Sequence, residues 1–355
     1  YYILISSLDL GGAVLTATDP AGPWTYRKLN DNFYDCGMLF EDDCIYVVCG
    51  INSIHVVKLD KNFNRLADKE VINRANSGLE GSKIYHIGDY YYIYNTYGGT
   101  EGSQTIFRSK DPMGTYEEVA ARVMKGQHIH QGALVDTPSG QWWTVLFKDD
   151  GAIGRVPYLE PVVWTDGWPT IGNSGIDVSK GGTAYPKPNM GTSYPRVCLP
   201  TNDTFTSLSL GKQWQWNHQP DNEAWSLADN PGSLRLYTSG IAADLMHARN
   251  SLTQRIVALH DEGSLNARKP VVYGTVKVDV SHMKDGDVAG LAVFQDPYSW
   301  IGVKNINGAK HLYVYRSAYD NNSVVVRDCG LITADTLYLQ ARANFGTSKV
   351  TYYYS

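Results

Sequence analysis

The sequence predicts an all-β protein: an incomplete β-propeller followed by a β-sandwich. Three observations carry that expectation. Aromatic residues reach 12%, led by 25 Tyr, and stand beside 34 Gly, a mix that favours strands and tight turns over helices. Aromatic-led apolar runs recur roughly every 45 residues, the period of a four-stranded propeller blade. After Thr201 that period gives way to longer alternating segments between glycine-bearing turns, as in a two-sheet sandwich.

The repeated strands are Tyr2-Ile3-Leu4-Ile5, Tyr46-Val47-Val48, Tyr91-Tyr92-Ile93-Tyr94 and Trp142-Trp143-Thr144-Val145-Leu146. The last three each follow a polar turn, at Glu41-Asp42-Asp43, Ile87-Gly88-Asp89 and Pro138-Ser139-Gly140, so each is the second strand of a hairpin. A second turn recurs downstream as Asp19-Pro20-Ala21-Gly22, Asp60-Lys61-Asn62-Phe63 and Asp111-Pro112-Met113-Gly114. The first copy lacks its opening strand, which gives three blades and part of a fourth, and predicts that the chain is a fragment. Trp164-Thr165-Asp166-Gly167-Trp168-Pro169 closes the repeats. Residues 1–172 are read as the partial propeller and 173–200, rich in Gly, Ser, Thr and Pro, as a linker. Residues 201–355 form the sandwich, jelly-roll-like, with strands expected at Ser233–Tyr237, Val271–Val278, Ala289–Phe294 and His311–Tyr315. The run Val350-Thr351-Tyr352-Tyr353-Tyr354 is strand-like and predicts a further strand or two beyond it.

Composition excludes some partners. Thirty-one Lys and Arg against 36 Asp and Glu, with no basic run, argue against nucleic acid. No apolar stretch reaches the roughly 18 residues of a membrane helix, so no membrane partner is expected. The cysteines Cys36, Cys44, Cys49, Cys198 and Cys329 form no C-x-x-C pair and read as buried free thiols rather than a disulfide framework or zinc site. The opening Tyr1-Tyr2-Ile3-Leu4-Ile5 has no basic segment or cleavage site and is not a signal peptide.

Inner strands of propeller blades converge on one mouth of the channel, so the repeat itself points to a site. Eleven residues before Tyr46, Tyr91 and Trp142 stand Asp35, Glu80 and Gln131, each followed within two residues by glycine. An acid at a strand start commonly serves only as an acceptor for backbone N–H groups. Two acids at one repeat position suit glycoside cleavage instead, where one protonates the departing oxygen and their repulsion keeps that one protonated near neutral pH. Trp214, Trp216 and Trp225 read as sandwich core rather than sugar platforms, and His218 as no ligand.

The runs Glu80-Gly81-Ser82-Lys83-Ile84-Tyr85, His130-Gln131-Gly132-Ala133-Leu134-Val135-Asp136 and Gly154-Arg155-Val156-Pro157-Tyr158, with Asp166-Gly167-Trp168-Pro169, resemble the family 43 glycoside hydrolases across nearly all of residues 1–172. Gln213-Trp214-Gln215-Trp216, Ala248-Arg249-Asn250-Ser251 and Asp285-Gly286-Asp287-Val288 resemble the β-sandwich appended to two-domain arabinofuranosidases and xylosidases of that family. The resemblance implies a five-bladed propeller that hydrolyses with inversion through a base Asp, an acid Glu and a second Asp that tunes and orients the acid. Glu80 matches the general acid and Asp35 the tuning Asp, with Cys36-Gly37 replacing the usual small or Pro-Ser pair. No match for the base follows Tyr1, so the base is expected ahead of it and the chain alone is expected to be inactive.

Arg155 matches an arginine that reaches into the sugar pocket, and Gln131 and His130 are expected at the channel mouth as substrate contacts. Some relatives hold calcium or water through such a histidine, which leaves a structural calcium at His130 as an option. No organic cofactor is required. The resemblance implies an exo-acting α-L-arabinofuranosidase or β-xylosidase on plant cell-wall arabinoxylan or its oligosaccharides. The alternatives are a non-catalytic carbohydrate-binding propeller and an exo-galactanase or arabinanase. Such substrates lie outside the cell, so secretion is expected, with sequons at Asn202 and Asn321.

Overall fold

Strand repeats need turns that recur, and three Asx turns supply them. Asp19, Asp60 and Asp111 each accept the N–H two residues ahead on Oδ1 (Ala21 2.7 Å, Asn62 2.8 Å, Met113 2.9 Å). Each carbonyl also accepts the N–H three residues ahead, at 2.9 Å in all three. The Asp60 copy, the loosest in sequence, has the same geometry because the turn needs only the aspartate. In the computed structural model, which describes residues 1–98, 102–120, 129–149, 154–171, 188, 190–195, 197, 200–256, 271–318 and 324–355, these turns join the last two strands of successive sheets.

The chain divides into two units, Tyr1–Ser193 and Tyr194–Ser355, and no α-helix occurs among the described residues. The first unit holds four antiparallel meanders. β1 (Tyr2–Ser7), β2 (Gly11–Thr16) and β3 (Thr25–Lys28) form a three-stranded sheet. Three four-stranded sheets follow. They are β4 (Gly37–Phe40) to β7 (Arg65–Asn73) through β5 (Ile45–Cys49) and β6 (Ser53–Leu59); β8 (Leu79–Ile87) to β11 (Glu117–Glu118) through β9 (Tyr90–Tyr97) and β10 (Ser103–Ser109); and β12 (Ile129–Asp136) to β15 (Trp168–Ile171) through β13 (Trp142–Asp149) and β14 (Arg155–Thr165). One three-stranded and three four-stranded sheets are thus observed among the described residues of this unit. The run expected to close the repeats makes their last hairpin: Asp166 (φ 51°) and Gly167 (φ 74°) both take the left-handed conformation of a two-residue turn. Pro169 is accommodated because β15 is an edge strand.

Period-two alternation explains why the strands read as nearly continuous apolar runs. Val47 and Val57 face Val14 of the first sheet and Leu29 and Phe33 from the segment that follows it. Their neighbours Val48 and Val56 face Leu79, Ile84, Ile93 and Phe107 of the third. Tyr92, Tyr94 and Ile106 then meet Ile129, Leu134 and Leu146 of the fourth. A sheet buried on both faces has no solvent side on which to place polar residues.

The second unit is a sandwich. β20 (Val271–Asp279), β25 (Thr336–Asn344) and β26 (Lys349–Tyr354) form one sheet; β21 (Val288–Val293), β22 (Ser299–Ile306), β23 (Ala309–Arg316) and β24 (Val325–Leu331) form the other. Val280, Ile301, Val303, Leu312, Leu337 and Leu339 make its core. Between Trp214 and Gln254 lie short ladders, β16 (Trp214–Trp216) with β19 (Leu252–Gln254) and β17 (Trp225–Ser226) with β18 (Arg235–Leu236). The strand expected at Ser233–Tyr237 shrinks to β18. The indoles are half-buried here: Trp214 donates to Asp203 Oδ2 (2.7 Å) and stacks on Phe205, and Trp216 packs on Trp225 (5.3 Å). Most of the expected linker, with Cys198, lies outside the described residues, as does Asn321. Of the other cysteines, Cys44 is buried, Cys36 and Cys49 are partly so, and Cys329 is exposed, which departs from the expectation of burial.

Candidate active site

Three blades carry the same irregularity at the start of their first strand. In β8 the register passes from Glu80↔Thr96 to Lys83↔Tyr94, and in β12 from His130↔Phe147 to Ala133↔Val145. Ahead of β4, the Gly50 N–H donates to the Tyr34 carbonyl (3.0 Å) while Gly37 pairs with Val48. Each is a bulge with one extra residue, held in the left-handed region: Asp35 (φ 46°), Gly81 (φ 67°) and Gln131 (φ 56°). Asp35 and Gln131 are therefore equivalent as expected. Glu80 is not: it stands one residue earlier, level with Tyr34 and His130. The ladders make Tyr92 and Trp143, rather than Tyr91 and Trp142, the counterparts of Tyr46. In the fourth sheet a hairpin one residue longer cancels that offset.

Bulges re-aim side chains, and here they bring the blades into contact. The Tyr34 hydroxyl donates to Glu80 Oε2 (3.0 Å), and Gln131 Nε2 donates to Asp35 Oδ2 (3.1 Å). The Glu80 bond raises the Tyr34 phenol above its ordinary pKa, because the carboxylate accepts the phenol's proton in a bond that ionisation would break. Gly81 is glycine for two reasons. Its φ is left-handed, and a Cβ there would lie 2.8 Å from Thr96 Cγ2 and 3.2 Å from the Gln131 amide crossing above it. Gly98 likewise faces the acid: a Cβ would fall 2.0 Å from Glu80 Oε1.

His130 and Arg155 belong to a second cluster. The His130 ring, 5% exposed, shares a hydrogen bond between Nε2 and Asp149 Oδ2 (2.8 Å). Arg155, whose side chain is 66% exposed, approaches Asp149 Oδ1 at 3.5 Å and lies over the Phe147 ring. The structure thus joins Asp35, Glu80 and Gln131 through Tyr34 and Gly81, and links His130 to Arg155 through Asp149. His130 Nδ1 is buried with no hydrogen-bond partner among the described residues. Those residues bring no third metal-ligating side chain to His130 and Asp149. Tyr34, Gly98 and Asp149 were not foreseen. Tyr34 was visible only as the neighbour of Asp35, and Asp149 only as the residue opposite Arg155 across a hairpin.

Antiparallel blades with acids at their bulged strand starts, followed by a sandwich, define the class of all-β proteins that pair a propeller with a β-sandwich. Residues 1–169 match Glycosyl hydrolases family 43, and residues 202–355 match the Beta xylosidase C-terminal Concanavalin A-like domain. The chain belongs to glycoside hydrolase family 43. It is 30% identical to a beta-xylosidase of Formosa agariphila over 97% of its own length and 66% of that protein's. It is 33% identical to a non-reducing end alpha-L-arabinofuranosidase of Bacteroides ovatus over 64% of its length and 46% of that protein's. The chain therefore spans about half to two-thirds of these relatives. A solved structure described as a bifunctional GH43-CE from Bacteroides eggerthii superposes with a TM-score of 0.82 at 29% identity, over 100% of this chain and 47% of that one.

Proposed function

We propose that the protein is an exo-acting, inverting glycosidase that removes arabinofuranosyl or xylosyl units from plant hemicellulose outside the cell. Glu80 is the general acid, and Asp35 tunes and orients it. A third carboxylate, the base that activates water, completes the set. The observation that carries the reading is the pair of acids at the bulged strand starts of adjacent blades, each held by a side chain from another blade. Gln131 then serves the acids first and substrate second, while Arg155 and His130 contact sugar hydroxyls from the Asp149 cluster. The names of the relatives support both the xylosyl and the arabinofuranosyl assignment. No organic cofactor enters the chemistry.

The test compares leaving groups. Protonation by a general acid contributes about 10²–10⁴-fold when the departing oxygen is a poor leaving group. Glu80→Gln should lose that factor on xylo- or arabino-oligosaccharides yet retain most activity on aryl glycosides with acidic phenols. Equal losses on both substrates would remove Glu80 from the acid role. Observing the first-formed anomer by NMR checks inversion.

A further inference from the structure

We propose that Tyr34 is the positioning residue of the acid: its hydroxyl occupies Glu80 Oε2 and leaves Oε1 as the oxygen that delivers the proton. The inference rests on the reading of Glu80 as general acid. A carboxyl group has two oxygens, and only one can face the glycosidic oxygen. Tyr34 donates to Oε2 at 3.0 Å from the loop ahead of β4, so a protonated Glu80 that keeps this bond carries its proton on Oε1. Oε1 lies against Gly98, the residue after β9, where any Cβ would overlap it, so only glycine leaves that oxygen its place. Tyr34 is 49% exposed and makes no ring contact among the described residues, so its hydroxyl is better explained by the acid than by core packing.

The bulge explains why a tyrosine can do this. Tyr34 takes the same place in its blade as Glu80 in the next, so the two side chains leave adjacent strand starts side by side. Among the described residues, the other charged or titratable groups around the pair are Asp35 and Cys36 on the same loop and Lys83 on β8, whose ammonium donates to the Gly81 and Ser82 carbonyls (3.3 and 3.4 Å). β9 presents Thr96, with Gly98 just past its end, and β12 presents Gln131 and the buried His130.

The experiment is Tyr34→Phe in the full-length protein, with kcat and KM measured on an oligosaccharide and on an aryl glycoside with an acidic phenol. Removing the donor to Oε2 lets the carboxyl turn, so the loss should fall on kcat while KM holds. Activity on the oligosaccharide should fall about tenfold while the activated substrate is nearly unaffected, since only proton delivery is misaligned. Equal losses on the two substrates, or a loss carried by KM, overturn the proposal. Glu80→Gln on the same substrates separates the two ideas. If it shows the leaving-group signature and Tyr34→Phe does not, only the role of Tyr34 falls; if Glu80→Gln shows none, both fall. The folded state of the variant is checked by its melting curve.

Discussion

Gly98 and Asp35 can each be altered by one small change, the first testing the position of the acid and the second a charge. Gly98 has an ordinary backbone conformation, so alanine fits the chain there and only the Glu80 carboxylate must move. Gly98→Ala should therefore keep the melting temperature while lowering kcat by about 10²-fold, the cost of roughly an ångström of misplacement. In a Glu80→Gln background the same change should cost little more, because the group it displaces is already inert. Asp35→Asn tests a charge instead of a position. Asparagine keeps the shape and an oxygen for Gln131 to donate to, so an oligosaccharide rate that falls about tenfold at an unchanged melting temperature reports the lost charge. The thiols give a separate check. Burial, followed by the Cys36 thiol nearby, pushes Cys49 up to about 12, and burial raises Cys36 as well. At pH 8 iodoacetamide should modify the exposed Cys329 and leave Cys36 and Cys49 unreacted, as read by mass spectrometry.

Blades are legible in sequence where a turn demands particular chemistry. Asp19, Asp60 and Asp111 marked the same hairpin in three sheets because an Asx turn needs its aspartate, whatever surrounds it. Register was less legible. Tyr90, Tyr91 and Tyr92 offer three adjacent anchors, and nothing local says which one lies opposite the strand start. One step of slip moved Glu80 into line with Asp35, although the ladder places it with Tyr34. Contacts such as Tyr34 to Glu80 depend on that bulge and on a separation of 46 residues, so they emerge only in three dimensions. In the sandwich, β24 went unforeseen because all seven of its residues are exposed and show no buried-face alternation. Where strands pack on both faces, truncation should be costly. Ile93 is fully buried among Val48, Ile84 and Phe107, so Ile93→Ala should destabilise the first unit by about 2–5 kcal/mol in chemical denaturation.

At the scale of the whole molecule, the four hydrophobic clusters found among the described residues each belong to one unit. The blade cores use residues between Val14 and Ile171, and the sandwich core uses residues between Val280 and Leu339. The site described above belongs entirely to the first unit, with every side chain on β4, β8, β9, β12, β13 or β14 or the loops that lead into them. If each core stabilises its own unit, unfolding has two separable steps. Leu339, fully buried between the two sandwich sheets, reports on one and Ile93 on the other. Leu339→Ala should remove about 2–5 kcal/mol from one calorimetric transition, and Ile93→Ala a similar amount from the other. Activity measured during heating should vanish with the Ile93-sensitive transition, because only that unit holds the acids. A single transition lowered by both substitutions would show that the units unfold as one cooperative body and not in two steps.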